Sequence, residues 1–204
     1  MDNVRSAGDD AQVVESPLAW KTRDVVVAAA LAVPLGLVFS VWLIGWNAAQ
    51  LVPALGHIVG GLYVVAGVLV GYVLRRPGAA FLGEMIAALV EWPLAPYGPI
   101  ILFLGLLQAL GVEAVFAGFR YRNYSLPVLM LAGAVGALAV LFGRFYVAFG
   151  YGALAPQEQA IRIVATIVGG AVFGGLLGKL LGDGLVKTGV LNNFPIARGR
   201  VREI

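Results

Sequence analysis

Apolar runs of roughly membrane length, separated by short polar breaks, set the pattern of this chain. The first extends from Val25 to Trp46 without a charged residue, directly after Lys21, Arg23 and Asp24. About 20 apolar residues cross a ~30 Å hydrocarbon core as a helix, so this run predicts a first span. A polar stretch, Gly45 to His57, holds Trp46, Asn47, Gln50 and Pro53, and a second apolar run, Ile58 to Leu74, stops at Arg75-Arg76. Pro77-Gly78 then turns the backbone. A third run, about Gly78 to Trp92, is short for a span and holds Glu84 and Glu91; Pro93, Pro96 and Pro99 follow it as a loop. A fourth runs from about Ile100 to Phe119 and ends on Arg120 and Arg122. The fifth covers about Leu126 to Phe149. After a loop from Gly150 to Glu158, a sixth, about Ala160 to Gly182, leads to Lys187, Arg198, Arg200 and Arg202.

Six passages make a testable pattern, because Lys and Arg gather in cytoplasmic loops. With both termini cytoplasmic, basic residues should cluster at the start, after the second run, after the fourth and at the end. They do, and only Arg144 and Arg162 fall towards the outer side. A five- or seven-helix count would put a basic cluster outside.

Composition agrees. Hydrophobic residues make up 60% of the 204 and charged ones 12%, against roughly 25% charged in soluble domains. Twenty-eight glycines suit close helix packing in lipid and argue against a barrel, whose strands would alternate apolar and polar residues. The expected fold class is all-α, an integral membrane bundle of six transmembrane helices. Residues 1–19 are expected to be a disordered polar lead, 20–187 the membrane domain and 188–204 a basic cytoplasmic tail. The net charge of +3 sits at loop ends where topology explains it, so no nucleic-acid partner is implied. Without cysteine there is no disulfide, thiolate metal site or cysteine nucleophile.

Ionisable groups inside spans are functional candidates, expected to face the bundle interior or a water-filled cavity. Glu84 and Glu91 are seven apart, nearly one face of a helix. Gln108 lies near the middle of the fourth run, Glu113 nearer its inner end, and Arg144 in the outer part of the fifth. Glu91 pairing with Arg144, and Glu113 anchoring the inner bundle through a tyrosine or a backbone donor, are the structural alternatives. Trp42, Trp46, Asn47, Tyr63, Trp92, Tyr97, Tyr146 and Tyr151 stand near the outer ends. Such aromatics form either an interfacial belt or, with the carboxylates, a pocket in which rings stack on a flat heterocycle and carboxylates offset its cation. The candidate substrate-binding residues are Trp46, Asn47, Tyr63, Glu84, Glu91, Trp92, Gln108 and Tyr146. His57, the lone histidine, is expected to be solvated in the outer loop, and no carboxylate cluster has metal-ligand spacing.

Small residues recur every fourth position as Ala28, Ala32, Gly36 and Ser40, and as Gly170, Gly174, Gly178 and Gly182. Each stripe lets a helix approach closely, within the chain or from a partner. The nearest match to a phosphate-binding loop, Gly174-Gly175-Leu176-Leu177-Gly178-Lys179-Leu180, has Phe173 and Leu180 where the pattern needs Gly and Ser or Thr. No nucleophile elbow, zinc-protease motif or redox cysteine pair is present. The chain is also short for the inverted repeat of a secondary transporter. It is not expected to be an enzyme, to carry a cofactor or to energise transport alone.

Three stretches together resemble one family. They are Trp20-Lys21-Thr22-Arg23-Asp24, the hairpin from Gly60-Gly61-Leu62-Tyr63 to Arg75-Arg76-Pro77-Gly78-Ala79-Ala80-Phe81 with Glu84 following, and Gln108-Ala109-Leu110-Gly111-Val112-Glu113 leading to Phe119-Arg120-Tyr121-Arg122. The chain resembles the substrate-binding (S) components of energy-coupling factor transporters, in particular the YkoE-like group linked to thiamine and its hydroxymethylpyrimidine precursor. The resemblance implies a vitamin-type substrate taken from outside, a membrane-embedded T component and two cytoplasmic ATPases. It also implies a partner-docking face on the first helix, which Ala28, Ala32 and Gly36 fit. The alternatives are a cobalt or nickel permease component, or a membrane scaffold without ligand.

Overall fold

The computed structural model describes residues 20–192 and 194–198. The polar lead, Arg200 and Arg202 lie outside the described residues. Among those described the chain is all-helical. Helix α1 (Thr22–Ala49) opens where the Asp24 carboxylate accepts the Lys21 N–H at 3.0 Å. The second passage combines α2 (Pro53–Gly60), a 3-10 turn (Gly61–Val64) and α3 (Val65–Leu74). Helix α4 (Ala79–Glu91) continues into a 3-10 turn, Trp92–Leu94. Helices α5 (Ile100–Gly118) and α6 (Leu126–Val140) follow, and α6 runs on as a π-helical segment, Leu141–Tyr146. The last passage joins α7 (Pro156–Gly169), a π-helical segment (Gly170–Leu176) and α8 (Leu177–Lys187).

Five of these passages are long and apolar enough to cross a membrane. The sixth, α4, has 13 residues, about 20 Å at 1.5 Å per residue, and so is shorter than a ~30 Å core. The chain is a multi-pass membrane protein in which α4 is shielded by neighbours. Helix α3 lies at the centre, with all ten residues buried. It packs on α4 and α8, while α1 packs chiefly on α4.

The glycine stripe of the last passage is internal. A Cβ on Gly178 would lie 3.0 Å from Val68, and one on Gly182 would lie 2.8 Å from Tyr72, so α8 approaches α3 along a track only glycine leaves open. The stripe on α1 is also internal, which corrects the expected docking face. Ala28 and Ala32 are 0% exposed, and a Cβ on Gly36 would meet the Ala87 carbonyl at 2.6 Å. All three are covered by the chain's own bundle. The exposed side of α1 carries Val26, Val33, Leu37, Val41 and Ile44 instead.

At the basic end, Arg75 (φ 50°) ends α3 in the left-handed region and Gly78 (φ 80°) completes the turn, a conformation glycine adopts at little cost. Three groups hold this hairpin. Arg76 pairs with buried Asp24 at 3.1 Å, and Trp20 donates its indole N–H to the Pro77 carbonyl. Glu113 of α5 accepts the backbone N–H groups of Gly78 (2.6 Å) and Phe81 (3.1 Å) and the Tyr121 hydroxyl (2.8 Å). Burial and that last hydrogen bond push the Tyr121 hydroxyl up to about 12, so it remains a donor. The start of the expected tail folds back: Leu191, Phe194 and Ile196 are buried, and the short helix α9 (Pro195–Arg198) packs on α3 and α8.

Candidate functional site

A cavity of about 200 Å³ lies between α1, the second passage, α4, α5 and α6. Its acidic wall is α4. Two turns of helix separate Glu84 from Glu91 and bring both to one side, where they line the cavity at 1% and 5% exposure. Gly67 stands in the first turn of α3, where backbone N–H groups lack a carbonyl one turn back. It donates to Glu84 Oε2 at 2.7 Å. The close approach needs glycine, since a Cβ there would lie 3.1 Å from the same oxygen. The other Glu84 oxygen and both oxygens of Glu91 have no hydrogen-bond or ion-pair partner among the described residues.

The remaining walls are apolar and aromatic with a few polar groups. Tyr63 and His57 come from the second passage, Gln108 from α5, Thr166 from α7, and Arg144 and Phe145 from the π-helical end of α6. Tyr63 stacks edge-on against Phe39 with 5.3 Å between ring centres. Trp46, Gln50 and Tyr97 line the outer part, and Tyr97 donates its hydroxyl hydrogen to Asn47 Oδ1 at 2.7 Å.

Of the residues expected to bind substrate, Trp46, Tyr63, Glu84, Glu91 and Gln108 converge on the cavity. Three do not. Asn47 sits at the rim and holds Tyr97; Trp92 is 39% exposed on its 3-10 turn; Tyr146 bonds Gln159 at 3.1 Å and packs on Phe142 and Tyr151. His57 corrects its expectation in the other direction. It is 8% exposed and packs edge-on against both Phe145 and Tyr151, which also touch each other. The signal for this was Pro53, a favoured first helical residue, which makes His57 part of a helix and not of a loop. The alternative Glu91–Arg144 pair does not form among the described residues; the Arg144 guanidinium lies 5.1 Å above the Phe149 ring. Among those residues no three His, Cys, Asp or Glu side chains converge in a way that could hold a metal ion.

A cavity inside a membrane bundle, with buried carboxylates unpaired among the described residues and convergent rings, defines a solute-binding component of membrane transport. Residues 23–139 match the family described as ABC-type cobalt transport system, permease component. A Bacillus subtilis (strain 168) protein named as an HMP/thiamine permease, YkoE, is 37% identical over 183 residues, 88% of this chain and 92% of that one. A solved S component of an ECF transporter superposes with a TM-score of 0.85 at 36% identity, covering 91% of this chain and 95% of that one. The chain belongs to the YkoE-like family of ECF transporter S components.

Proposed function

We propose that this protein captures thiamine or its hydroxymethylpyrimidine precursor from outside the cell membrane and delivers it through a T component driven by two cytoplasmic ATPases. One observation carries the reading: two carboxylates, Glu84 and Glu91, are buried in one cavity and leave three oxygens without a partner among the described residues. Buried carboxylates of this kind call for a donor or cation from the ligand. An aminopyrimidine supplies an N–H₂ donor, and thiamine adds a cationic thiazolium ring. Gln108 offers amide groups to ring nitrogens, while Trp46 and Phe145 offer faces for stacking. The volume of about 200 Å³ is small beside the ~300–1,000 Å³ of drug-sized pockets, which suits a small vitamin-type ligand. The lack of a phosphate-binding loop in the sequence fits a chain that depends on partner ATPases.

Cobalt is the second reading, favoured by the family description. The aromatic lining and the scattered carboxylates suit a heterocycle better than a metal ion. A thermal-shift titration of the detergent-purified protein separates the readings. A rise in Tm with micromolar thiamine or hydroxymethylpyrimidine is expected, because a ligand that binds only the folded state stabilises it. A response to Co²⁺ alone would favour the metal, and no response to any of them a scaffold role.

A further inference from the structure

Arg144 and Arg162 are the two basic residues that the topology places towards the outer side, against the charge bias of every other loop. An ion pair would explain them, yet neither has a carboxylate within ion-pair distance among the described residues. Each instead lies over a ring, Arg144 at 5.1 Å from the centre of Phe149 and Arg162 at 4.6 Å from that of Tyr151. Stacking occupies the face of a guanidinium and leaves its N–H edge open, the edge that matches a phosphate as a two-pronged fork. Arg162 spends one N–H on the Tyr151 hydroxyl at 3.1 Å. The Arg144 side chain has no hydrogen bond to another described residue, and it alone of the pair lines the cavity that holds Glu84 and Glu91.

The cavity is therefore polarised, with carboxylates on α4 and, on the wall built by the π-helical end of α6, a guanidinium that has no ion-pair or hydrogen-bond partner among the described residues. We propose that Arg144 forms an anion subsite at the mouth, and that the site accepts the phosphate monoester of its vitamin as well as the free alcohol. This rests on the vitamin reading above. The amine or cation of the ligand faces α4, and the esterified hydroxyalkyl arm reaches Arg144. Because Arg144 is only partly buried, the phosphate keeps water on its outer side and avoids most of the desolvation cost of a buried ion pair. A phospholipid headgroup has the same phosphate chemistry and is the competing occupant.

The test compares thiamine with thiamine monophosphate by tryptophan fluorescence, on protein in maltoside micelles and in phospholipid nanodiscs. The wild type is expected to bind the ester at least as tightly as thiamine in both. In Arg144→Gln the ratio of ester to thiamine affinity should fall about tenfold, the scale of a lost charge-assisted contact. In Arg144→Lys, which keeps the charge without the fork, it should fall less; that variant decides the matter if the glutamine form does not fold. An unchanged ratio in the variants, or wild-type protein that binds thiamine and rejects the ester, overturns the subsite alone. Preference for the ester that vanishes in nanodiscs assigns Arg144 to lipid and also overturns it. Wild-type protein that binds neither compound removes the vitamin reading, and the subsite with it.

Discussion

Glu84 of α4 and Gly67 of α3 are joined across the centre of the bundle, the Gly67 N–H donating to the carboxylate at 2.7 Å. One oxygen of Glu84 thus serves the fold and the other faces the cavity. Glu84→Gln keeps an acceptor for Gly67 but loses the carboxyl group that faces the ligand, so stability should hold while thiamine affinity falls about tenfold or more. Glu84→Ala leaves a buried N–H without a partner and should also cost about 1–3 kcal/mol of stability. Thermal melts and fluorescence titrations on the two variants check this; equal melting temperatures would show that the Gly67 bond carries no weight.

Glu91 lines the same cavity without any internal partner among the described residues. A buried carboxyl group without a partner burdens the empty protein. Glu91→Gln is expected to raise the Tm of the ligand-free form and to weaken thiamine binding about tenfold. A lower Tm in that variant would mean that the carboxylate stabilises the fold and not the ligand.

The membrane passages were legible because their ends are written in residues with one reading. Arg75-Arg76-Pro77-Gly78 stops a helix and turns it, and the prolines at 93, 96 and 99 break another. Glu84 and Glu91 were legible as one face of one helix. Harder to read was which face of α1 turns inward. Its inward side, Ala28 and Ala32, and its outward side, Val33 and Leu37, are both apolar, and lipid is as apolar as the core. Whether Arg144 would pair with Glu91 or face the cavity unpaired was not legible for a different reason. It sits in a π-helical segment, and the extra residue per turn re-aims side chains away from the α-helical register.

The hydrogen bond from Tyr97 to Asn47 links the loop after α4 to the end of α1 over the cavity. It is exposed, so its contribution is small. Tyr97→Phe should speed thiamine release about threefold, within the ~0.5–1.5 kcal/mol of a neutral hydrogen bond. Asn47→Ala should match it, and the double variant should add nothing. Stopped-flow displacement measures all three; additive effects would deny that the two residues act as one latch.

Glu113 gathers two backbone donors and the Tyr121 hydroxyl at the basic end. Glu113→Ala should destabilise the protein by about 2–3 kcal/mol, because those donors lose their acceptor together. Tyr121 adds a pH signature. Its folded value is raised from 10.0 to about 12, so its contribution is complete below pH 10 and is lost as pH climbs through 12. The Tm gap between wild type and Tyr121→Phe should narrow across that window. A gap constant to pH 12 would place the tyrosine outside the network.

Ala28 offers the sharpest test of how α1 is used. A docking face would tolerate a large residue there in the isolated chain and reject it only when a partner assembles. The structure puts Ala28 at 0% exposure within its own bundle. Ala28→Trp must therefore overpack that bundle, at a cost of about 1–3 kcal/mol or more, and should lower the Tm of the isolated protein. Val33→Trp, on the exposed side of the same helix, should leave that Tm nearly unchanged. If Ala28→Trp melts like the wild type and fails only in assembly, the inward orientation of α1 is wrong.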